Sequence, residues 1–308
     1  METVPDNVLD AIAPGARLID ADVVELHESA GAATGTVRRI RCRVDVDGDA
    51  RVVTVVSKRC RPTTGRHAHA AEALDHWAYW RRELLAYAAD VLPAGPGLRA
   101  PRCLGVGDDT VYLEEVVGPR ESAEVAAHRL GIWQATAVVP EVEWLAGHQL
   151  AQRIAVTELD WSTVSVDARV ERLWGRRGEF LDRLETLPSV LSHGDFHPGN
   201  LVATGDDMVV LDWGTLGVAP IGADVAHLML AARTDLTDLY LDGCRHRFDP
   251  ADVRTGALIT AALVGASRMH WMLDNDYAVA QGYRDFVLEC AARLERLESR
   301  SCRFGRPC

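Results

Sequence analysis

Residues 191–213 read LSHGDFHPGNLVATGDDMVVLDW, and this stretch decides how the chain is interpreted. Two apolar runs flank a Thr-Gly-Asp-Asp turn, a pattern that predicts a β-hairpin. A hairpin centred on residue 206 sets Asn200 opposite Asp212, with side chains about 5 Å apart. One amide oxygen and one carboxylate could then share a Mg²⁺ ion, which prefers oxygen ligands and keeps substrate phosphates in its shell. Asp195, a few residues upstream, remains available to meet a nucleophile.

The run HGDFHPGN, followed by LDWG, resembles the catalytic and metal loops of the aminoglycoside phosphotransferase and choline kinase-like families. These are small-molecule relatives of the protein kinases, in which the matching motifs are H-R-D-x-x-x-x-N and D-F-G. His193, Asp195 and Asn200 keep their positions in the first motif. Gly194 replaces the arginine that reads a phosphorylated activation loop, and Trp213 replaces the phenylalanine. Regulation by activation-loop phosphorylation is therefore not expected.

The resemblance implies an α+β, bilobal, protein kinase-like fold. A small antiparallel sheet and a long helix form the N-terminal lobe, and a larger, mainly helical lobe follows. We expect a nucleotide-binding lobe over residues 1–113, a hinge over 114–118, and a catalytic and substrate lobe over 119–308.

The expected hinge follows two short strands around the turn Gly107-Asp108-Asp109. In a kinase-like fold, a segment at this position binds the adenine of the nucleotide. We therefore expect the backbone of Glu114–Val116 to bond the adenine edge and Leu113 to form an apolar wall. Glu114 and Val116 are thus predicted nucleotide-binding residues.

The chain has a single lysine, Lys58, among its 33 basic residues. It ends the run RVVTVVSK, which follows an Asp47-Gly48 turn and is predicted to be a strand. Strand alternation places Lys58 on a mostly apolar face. In a kinase-like lobe, the lysine of this strand reaches the α- and β-phosphates of ATP. The alternative is a solvent-facing lysine at a strand end.

A kinase lysine is held by a glutamate from the following helix. Residues 68–91 carry apolar side chains at helical spacing and offer Glu72 and Glu83. We prefer Glu83, because RRELLAYAADVL resembles the family pattern. The alternative is a solvated Glu83 that pairs loosely with a neighbouring arginine.

The phosphate-covering loop is the weakest part of the resemblance. Gly31 and Gly35 loosely match a glycine-rich loop, but the first Gly-x-Gly pair is missing, and a hairpin turn explains them equally well. No GxxxxGK[ST] motif occurs, which excludes a Walker-type NTPase at the level of motifs.

Composition restricts the partners. A net charge of −12 argues against nucleic acid, because binding phosphates needs a basic surface. The N-terminus shows no signal peptide, and the longest apolar run, residues 257–266, is too short to cross a membrane. Seven scattered cysteines indicate reduced thiols in a cytoplasm. We expect a cytoplasmic protein without a membrane partner, either a monomer or a homodimer.

The activity implied is transfer of the γ-phosphoryl group of ATP to a hydroxyl of a small molecule. Asp195 is the expected base, Asn200 and Asp212 the expected Mg²⁺ ligands, and Lys58, fixed by Glu83, the expected phosphate ligand. The leading acceptor is an aminoglycoside or a related antibiotic, with choline-like, sugar or peptide acceptors as alternatives.

Two features bear on the acceptor and on the catalytic loop. Trp271 with Asp274 and Asp276 could hold a cationic group, although a buried Trp271 is the slightly preferred reading. Asp224 is expected to cap the helix that follows it, and in the family a matching Asp ties that helix to the catalytic loop. His193 is expected to brace that loop.

The sequence leaves two alternatives to a small-molecule phosphotransferase. A protein kinase is disfavoured by Gly194 and by the lack of an A-P-E segment after LDWG. A non-catalytic nucleotide-binding regulator is disfavoured because Lys58, Asp195, Asn200 and Asp212 are all present.

Overall fold

The first half of the chain builds an antiparallel sheet. The computed structural model describes residues 4–28 and 33–303, with side chains over residues 4–26 and 33–297. Within these residues, five strands pair in the order β1-β2-β3-β6-β5. They are β1 (Arg17–Glu28), β2 (Thr34–Val46), β3 (Asp49–Cys60), β5 (Cys103–Val106) and β6 (Thr110–Glu114). As predicted, Asp47 and Gly48 join β2 to β3, with φ values of 55° and 91° that suit a two-residue hairpin turn.

A short helix, α1 (Asp6–Ile12), covers one face of this sheet. Val8 and Leu9 pack with Ile40 and Val55 in one apolar cluster, in which each of the four side chains is at most 1% exposed. Burial of such side chains stabilises the sheet by about 1.5–3 kcal/mol each.

The predicted hairpin forms, but with a different register. β8 (Leu201–Thr204) and β9 (Asp207–Val210) pair with Thr204 opposite Asp207, and β4 (Leu98–Arg99) lies parallel to β9. Gly205 takes a φ of +59° in a two-residue turn, so the hairpin centre falls between residues 205 and 206. Leu211 N accordingly donates to Asn200 O at 2.8 Å. The prediction that Asn200 faces Asp212 is wrong by one residue.

The long helix predicted over residues 68–91 is also wrong. Only α2 (Arg82–Ala88) is α-helical, and 3-10 turns precede it at Gly65–His67 and Ala70–Glu72. The carbonyls of the intervening segment bond the guanidinium of Arg82, namely those of Leu74, His76 and Trp77. A continuous helix would need the same carbonyls for its own i to i+4 bonds.

The chain forms two compact units that interleave along the sequence. The first unit comprises residues 1–120, 140–146 and 200–216, and the second comprises residues 121–139, 147–199 and 217–308. The contiguous lobe boundaries expected from the sequence stay a prediction. In these units Asp195 belongs to the second, whereas Asn200 and Asp212 belong to the first.

The second unit is mainly helical. A two-stranded sheet of β7 (Ser189–Ser192) and β10 (Gly217–Pro220) accompanies its helices. The longest of them, α9 (Pro250–Asp274), packs against five of the other helices. The helices are α3 (Ala123–Thr136), α4 (Gln149–Ala155), α5 (Ala168–Gly175), α6 (Arg177–Glu185), α7 (Ala223–Ala232), α8 (Thr237–Cys244), α9 (Pro250–Asp274) and α10 (Gln281–Arg303). The predicted α+β class, with an antiparallel N-terminal sheet and a helical C-terminal part, is confirmed.

Two glycines allow α3 and α8 to cross closely. A Cβ at Gly131 would lie 2.2 Å from Tyr240 O, and one at Gly243 would lie 2.1 Å from His128 O. Only glycine fits at such a backbone approach. The crossing lets the Tyr240 hydroxyl donate to Gln134 Oε1 at 2.6 Å inside the unit.

Two further findings concern the described residues as a whole. No helix among them has the length and apolar character needed to cross a membrane. The cysteines whose side chains are described are free thiols, namely Cys42, Cys60, Cys103, Cys244 and Cys290.

Candidate active site

A buried ion-pair cluster lies within the first unit. Lys58, near the end of β3, places its Nζ 2.5 Å from Glu83 Oε2 and 2.7 Å from Asp212 Oδ1. Lys58 is 8% exposed and Glu83 is 2% exposed, so neither residue is the solvated side chain of the alternative interpretations. The structure thus brings Lys58 together with its predicted partner Glu83 and adds Asp212, which was predicted only as a metal ligand.

The charge of Lys58 is fixed by its neighbours. Burial opposes the charged form, but the carboxylates of Asp212 and Glu83 outweigh it and raise the pKa of Lys58. The backbone N–H of Trp213 also bonds Glu83. The lysine is therefore a permanent cation at neutral pH, held on both sides.

Asp212 leaves the hairpin in a strained conformation. Its φ of +62° and ψ of 70° lie in the left-handed region, which is uncommon for residues other than glycine. The next residue anchors it, because Trp213 is fully buried and donates from Nε1 to Val210 O at 2.7 Å. The Asp212 side chain stays 47% exposed. The arrangement keeps part of a carboxylate available beside a buried cation.

Sequence reasoning missed Arg82, which is fully buried directly beside Glu83. Burial lowers its pKa to about 10, so it stays charged at neutral pH. Besides the carbonyls of residues 74, 76 and 77, its guanidinium bonds Trp144 O at 2.7 Å and Gly214 O at 3.3 Å. Arg82 thereby connects the start of α2 to the loop that carries Asp212. Its place directly before Glu83, in a short charged run between two apolar stretches, was the only signal for this role.

The predicted adenine-binding segment lies at the end of β6. Leu113 is buried. Glu114 N donates to Arg102 O at 3.0 Å, so this N–H is engaged within the sheet and not directed to a ligand. The Glu114 carboxylate bonds Arg99 and, at 3.0 Å, Arg102 N. Adenine contacts therefore remain a proposal for the backbone beyond Glu114, which includes Val116.

The loop with Asp195 belongs to the second unit. Asp195 N donates to Nδ1 of the fully buried His193 at 3.2 Å, which is the bracing expected of this histidine. His197 Nε2 lies 3.5 Å from Asp195 Oδ2, and Arg268 Nη2 lies 3.9 Å from Oδ1. Burial opposes ionisation, but the hydrogen bond from His197 and the imidazole of His227 hold the pKa of Asp195 well below its usual range. Asp195 is therefore a carboxylate at neutral pH.

Asp224 holds this loop in place. Its carboxylate accepts hydrogen bonds at 2.9 Å from Ser192 Oγ, His193 N, Gly194 N and Gln134 Nε2. The prediction that Asp224 caps the helix is wrong, because Gly222 occupies the N-cap and Asp224 lies in the first turn of α7. The expected tie between this helix and the loop is present.

Other predicted positions have mixed outcomes. Gly31 lies outside the described residues, and Gly35 is part of β2, where a Cβ would lie 3.1 Å from Arg59 O. Trp271 is 56% exposed, which overturns the preference for a buried Trp271. No group of three or more His, Cys, Asp or Glu side chains suited to a metal occurs in the part of the chain that the structure describes.

Part of the chain matches a phosphotransferase family model. Residues 119–258 match the model of the phosphotransferase enzyme family. No curated protein matches the sequence.

Among solved structures, a choline/ethanolamine kinase family protein from Mesorhizobium loti has 18% identity, with coverage of 95% of this chain and 93% of that one and a TM-score of 0.52. Aminoglycoside 2′-phosphotransferase-IIIa, solved as a GDP complex, has 14% identity, coverage of 94% and 96%, and a TM-score of 0.52. A macrolide 2′-phosphotransferase from Brachybacterium faecium has 18% identity, coverage of 93% and 98%, and a TM-score of 0.50.

At these identities the solved structures show the shared fold only, and the phosphotransferase family match is limited to residues 119–258. The predicted resemblance is confirmed: residues 119–258 match the phosphotransferase enzyme family, and the fold is similar to those of a choline/ethanolamine kinase family protein and an aminoglycoside phosphotransferase, which together indicate a small-molecule phosphotransferase.

Proposed function

We propose that the protein transfers the γ-phosphoryl group of ATP to a hydroxyl of a small molecule. The observation that carries this proposal is the buried cluster in which the only lysine of the chain lies between Glu83 and Asp212. A buried cation held by two carboxylates is costly unless it serves a ligand or a specific fold. Phosphate oxygens are the ligand that this cation suits.

Lys58 orients the phosphates of the nucleotide. Its compact ammonium carries three donors, of which two are directed to Glu83 and Asp212. Glu83 keeps the ammonium in position, and Arg82 fixes the start of the helix that carries Glu83. Leu113 and the backbone as far as Val116 contact the adenine.

Asn200 and Asp212 fit a divalent metal. They supply an amide oxygen and a partly exposed carboxylate at the open end of one hairpin, and both are hard oxygen donors of the kind that Mg²⁺ takes. When bound, Mg²⁺ neutralises charge on the phosphate oxygens. The positive charge of Lys58 next to Asp212 adds to the same electrostatic stabilisation.

Asp195 acts on the acceptor. Its carboxylate accepts a hydrogen bond from the hydroxyl and takes the proton as the new O–P bond forms and the bond to ADP breaks. Because its pKa is low, Asp195 is a weak base whose main contribution is orientation. This suits a loose transition state in which proton transfer comes late.

The test is consumption of Mg·ATP with a panel of hydroxylated acceptors, with mass spectrometry for the phosphorylated product. Asp195→Asn should lower turnover about 10²- to 10⁴-fold with nearly unchanged nucleotide affinity. Asp212→Ala should lose nucleotide affinity in the presence of Mg²⁺ and activity together. Asp206→Asn, in the exposed hairpin turn, is the matched control. Near-normal turnover by Asp195→Asn would refute the assignment.

A further inference from the structure

The second unit contains a cavity of about 460 Å³ formed by the ends of α7 and α9 and the start of α10. This size lies in the range of small-molecule sites. Its lining is built from both cationic and apolar side chains, namely Arg233, Arg268, Trp271, Met272, Ala278, Ala280 and Tyr283.

The charged residues of this lining are all positive. Arg233 and Arg268 contribute two guanidinium groups, and the lining has no carboxylate. Arg233 is exposed and makes no ion pair with the described residues. A site with two cations stands out in a chain whose net charge is −12. Guanidinium groups of this kind bind carboxylates and phosphates with bidentate geometry.

Arg268 connects the cavity to the catalytic loop. Its Nη2 lies 3.9 Å from Asp195 Oδ1 and 3.4 Å from His227 Nδ1. Both distances are long for hydrogen bonds, so most of the five donors of this guanidinium remain available to a ligand. A molecule in the cavity that contacts Arg268 therefore lies close to Asp195.

The remaining wall suits a flat, apolar group. Trp271 is 56% exposed and stacks on Tyr277 with a centroid distance of 5.3 Å and an interplanar angle of 23°. Met272 adds an adaptable apolar contact. The buried hydroxyl oxygen of Tyr283 makes no hydrogen bond within the described residues and supplies one polar atom to the lining.

We propose that this cavity receives the phosphoryl acceptor, and that the acceptor is an anion: a hydroxylated small molecule with a carboxylate or phosphate on a flat apolar body. This inference rests on the proposed function and names its substrate class. Arg233 and Arg268 bind the anionic group, Trp271 stacks on the flat portion, and the hydroxyl is directed to Asp195.

The negative charge of the proposed acceptor is opposite to that of the cationic acceptor considered from the sequence. Asp274 and Asp276, the acidic residues of that reading, do not belong to the cavity lining. Asp274 Oδ1 instead accepts a hydrogen bond from Thr163 Oγ1 at 3.0 Å. A polycationic aminoglycoside would bring its charge against two guanidinium groups.

A binding experiment without nucleotide tests this inference. The probes are benzoate and phenyl phosphate, with benzyl alcohol and benzylammonium as neutral and cationic analogues of similar shape, and binding is followed by ligand-observed NMR. We expect both anions to bind the native protein and the cation not to bind. Comparison of benzoate with phenyl phosphate shows which anionic group the site prefers.

Variants locate the binding. Arg233→Gln and Arg268→Gln should each weaken anion binding about tenfold or more, because each removes a charged hydrogen bond. Trp271→Leu should weaken the binding of all the aromatic probes. Arg247→Gln, at an exposed arginine of the same unit outside the cavity, should leave binding unchanged. Equal binding of the cation, or anion binding that both cavity variants leave intact, would overturn the inference.

A second readout separates this inference from the proposed function. N-benzoylserine and N-benzoylserinamide differ only in the carboxylate, and both carry a hydroxyl. Preferential phosphorylation of the acid that depends on Asp195 and on Arg268 supports both proposals. Phosphorylation of cationic acceptors alone would leave the phosphotransferase in place and refute the anionic acceptor. Anion binding with no phosphoryl transfer to any acceptor would refute the proposed function and with it the acceptor role of the cavity, and would leave only an anion-binding site.

Discussion

Lys58 Nζ donates to Asp212 Oδ1 at 2.7 Å, while the backbone of Asp212 occupies the left-handed region with φ at +62°. A residue other than glycine pays about 1–2 kcal/mol for that conformation. The contact to Lys58 offsets part of this cost. One side chain therefore both orders the loop that carries the candidate metal ligand and supplies the cation of the site.

The first prediction concerns Lys58. Lys58→Met should lower nucleotide affinity and reduce turnover at least about 100-fold, since an electrostatic contact to the phosphates is lost. It should also destabilise the fold, because Glu83 becomes a buried carboxylate without its cation. Activity assays and denaturant unfolding measure the two effects.

Two variants sharpen this test. Arg59→Gln changes the next residue of β3, whose side chain is exposed and pairs with Asp109, and it should leave activity unchanged. The double variant Lys58→Met/Glu83→Gln should be more stable than Lys58→Met alone by about 1–3 kcal/mol. Additive effects of the two substitutions would contradict the ion pair.

The second prediction concerns Arg82. Arg82→Lys keeps the charge but has too few donors for five carbonyls, so it should lower the free energy of unfolding by about 2–4 kcal/mol. Nucleotide affinity should fall as well, because Glu83 and the loop at Gly214 lose a shared support. Arg81→Lys, at the exposed neighbour, is the control. Unchanged stability of Arg82→Lys would show that the carbonyl contacts contribute little.

The third prediction concerns Asp224. In Asp224→Asn an amide N–H₂ meets groups that are themselves donors, which should destabilise the protein by about 2–4 kcal/mol. It should also lower kcat more than it raises KM for ATP, because the catalytic loop loses its support. Asp238→Asn, at an exposed aspartate of α8, should change neither quantity by much. An unaltered kcat in Asp224→Asn would argue against a role in positioning Asp195.

The fourth prediction concerns pH. Burial and the Arg268 guanidinium lower the pKa of His227 to about 3. In the unfolded chain the pKa of His227 is near 6.5, so below that pH the unfolded chain binds a proton that the folded protein does not bind. His227 therefore has no effect on stability above pH 6.5 and costs about 2 kcal/mol at pH 5.

Unfolding curves between pH 7 and pH 5 test this sign. His227→Asn should lose less stability than the native protein over that interval, by about 2 kcal/mol. His246→Asn, at an exposed histidine, should follow the native protein. The groups around His227, namely Asp195, Arg153, Arg268 and His197, are the same in both measurements. An identical pH dependence in His227→Asn would show that this histidine is protonated in the fold.

Local patterns predicted the elements of this fold well. The Asp47-Gly48 turn, the strands around it and the pair of short strands before residue 114 follow from turn residues and alternation. The hairpin after Asn200 was placed correctly, but its register depended on which two residues form the turn. A centre shifted by half a residue changes every facing pair.

Long-range contacts account for what the sequence did not show. The helix that carries Glu83 begins only at Arg82. The guanidinium of Arg82 bonds carbonyl groups far away in the sequence, including Trp144 O and Gly214 O, and local spacing does not indicate these contacts. The four donors to Asp224 come from α3, from β7 and from the loop that follows β7, all within the second unit. The cavity at Arg268 joins residues of α9 and α10, the loop between them and the residue after α7, and no spacing in the sequence indicates that arrangement.

The burial of Lys58 has a consequence for covalent modification. It is the only source of an ε-amine in the chain, and it lies protonated between two carboxylates. Acetylation, ubiquitination and amine-reactive crosslinkers need an accessible, deprotonated amine, so lysine-directed chemistry has no surface target on the folded protein. If Lys58 lies in the proposed nucleotide site, a reagent that labels Lys58 has to enter through that site, and the degree of labelling reports how much of the site is free.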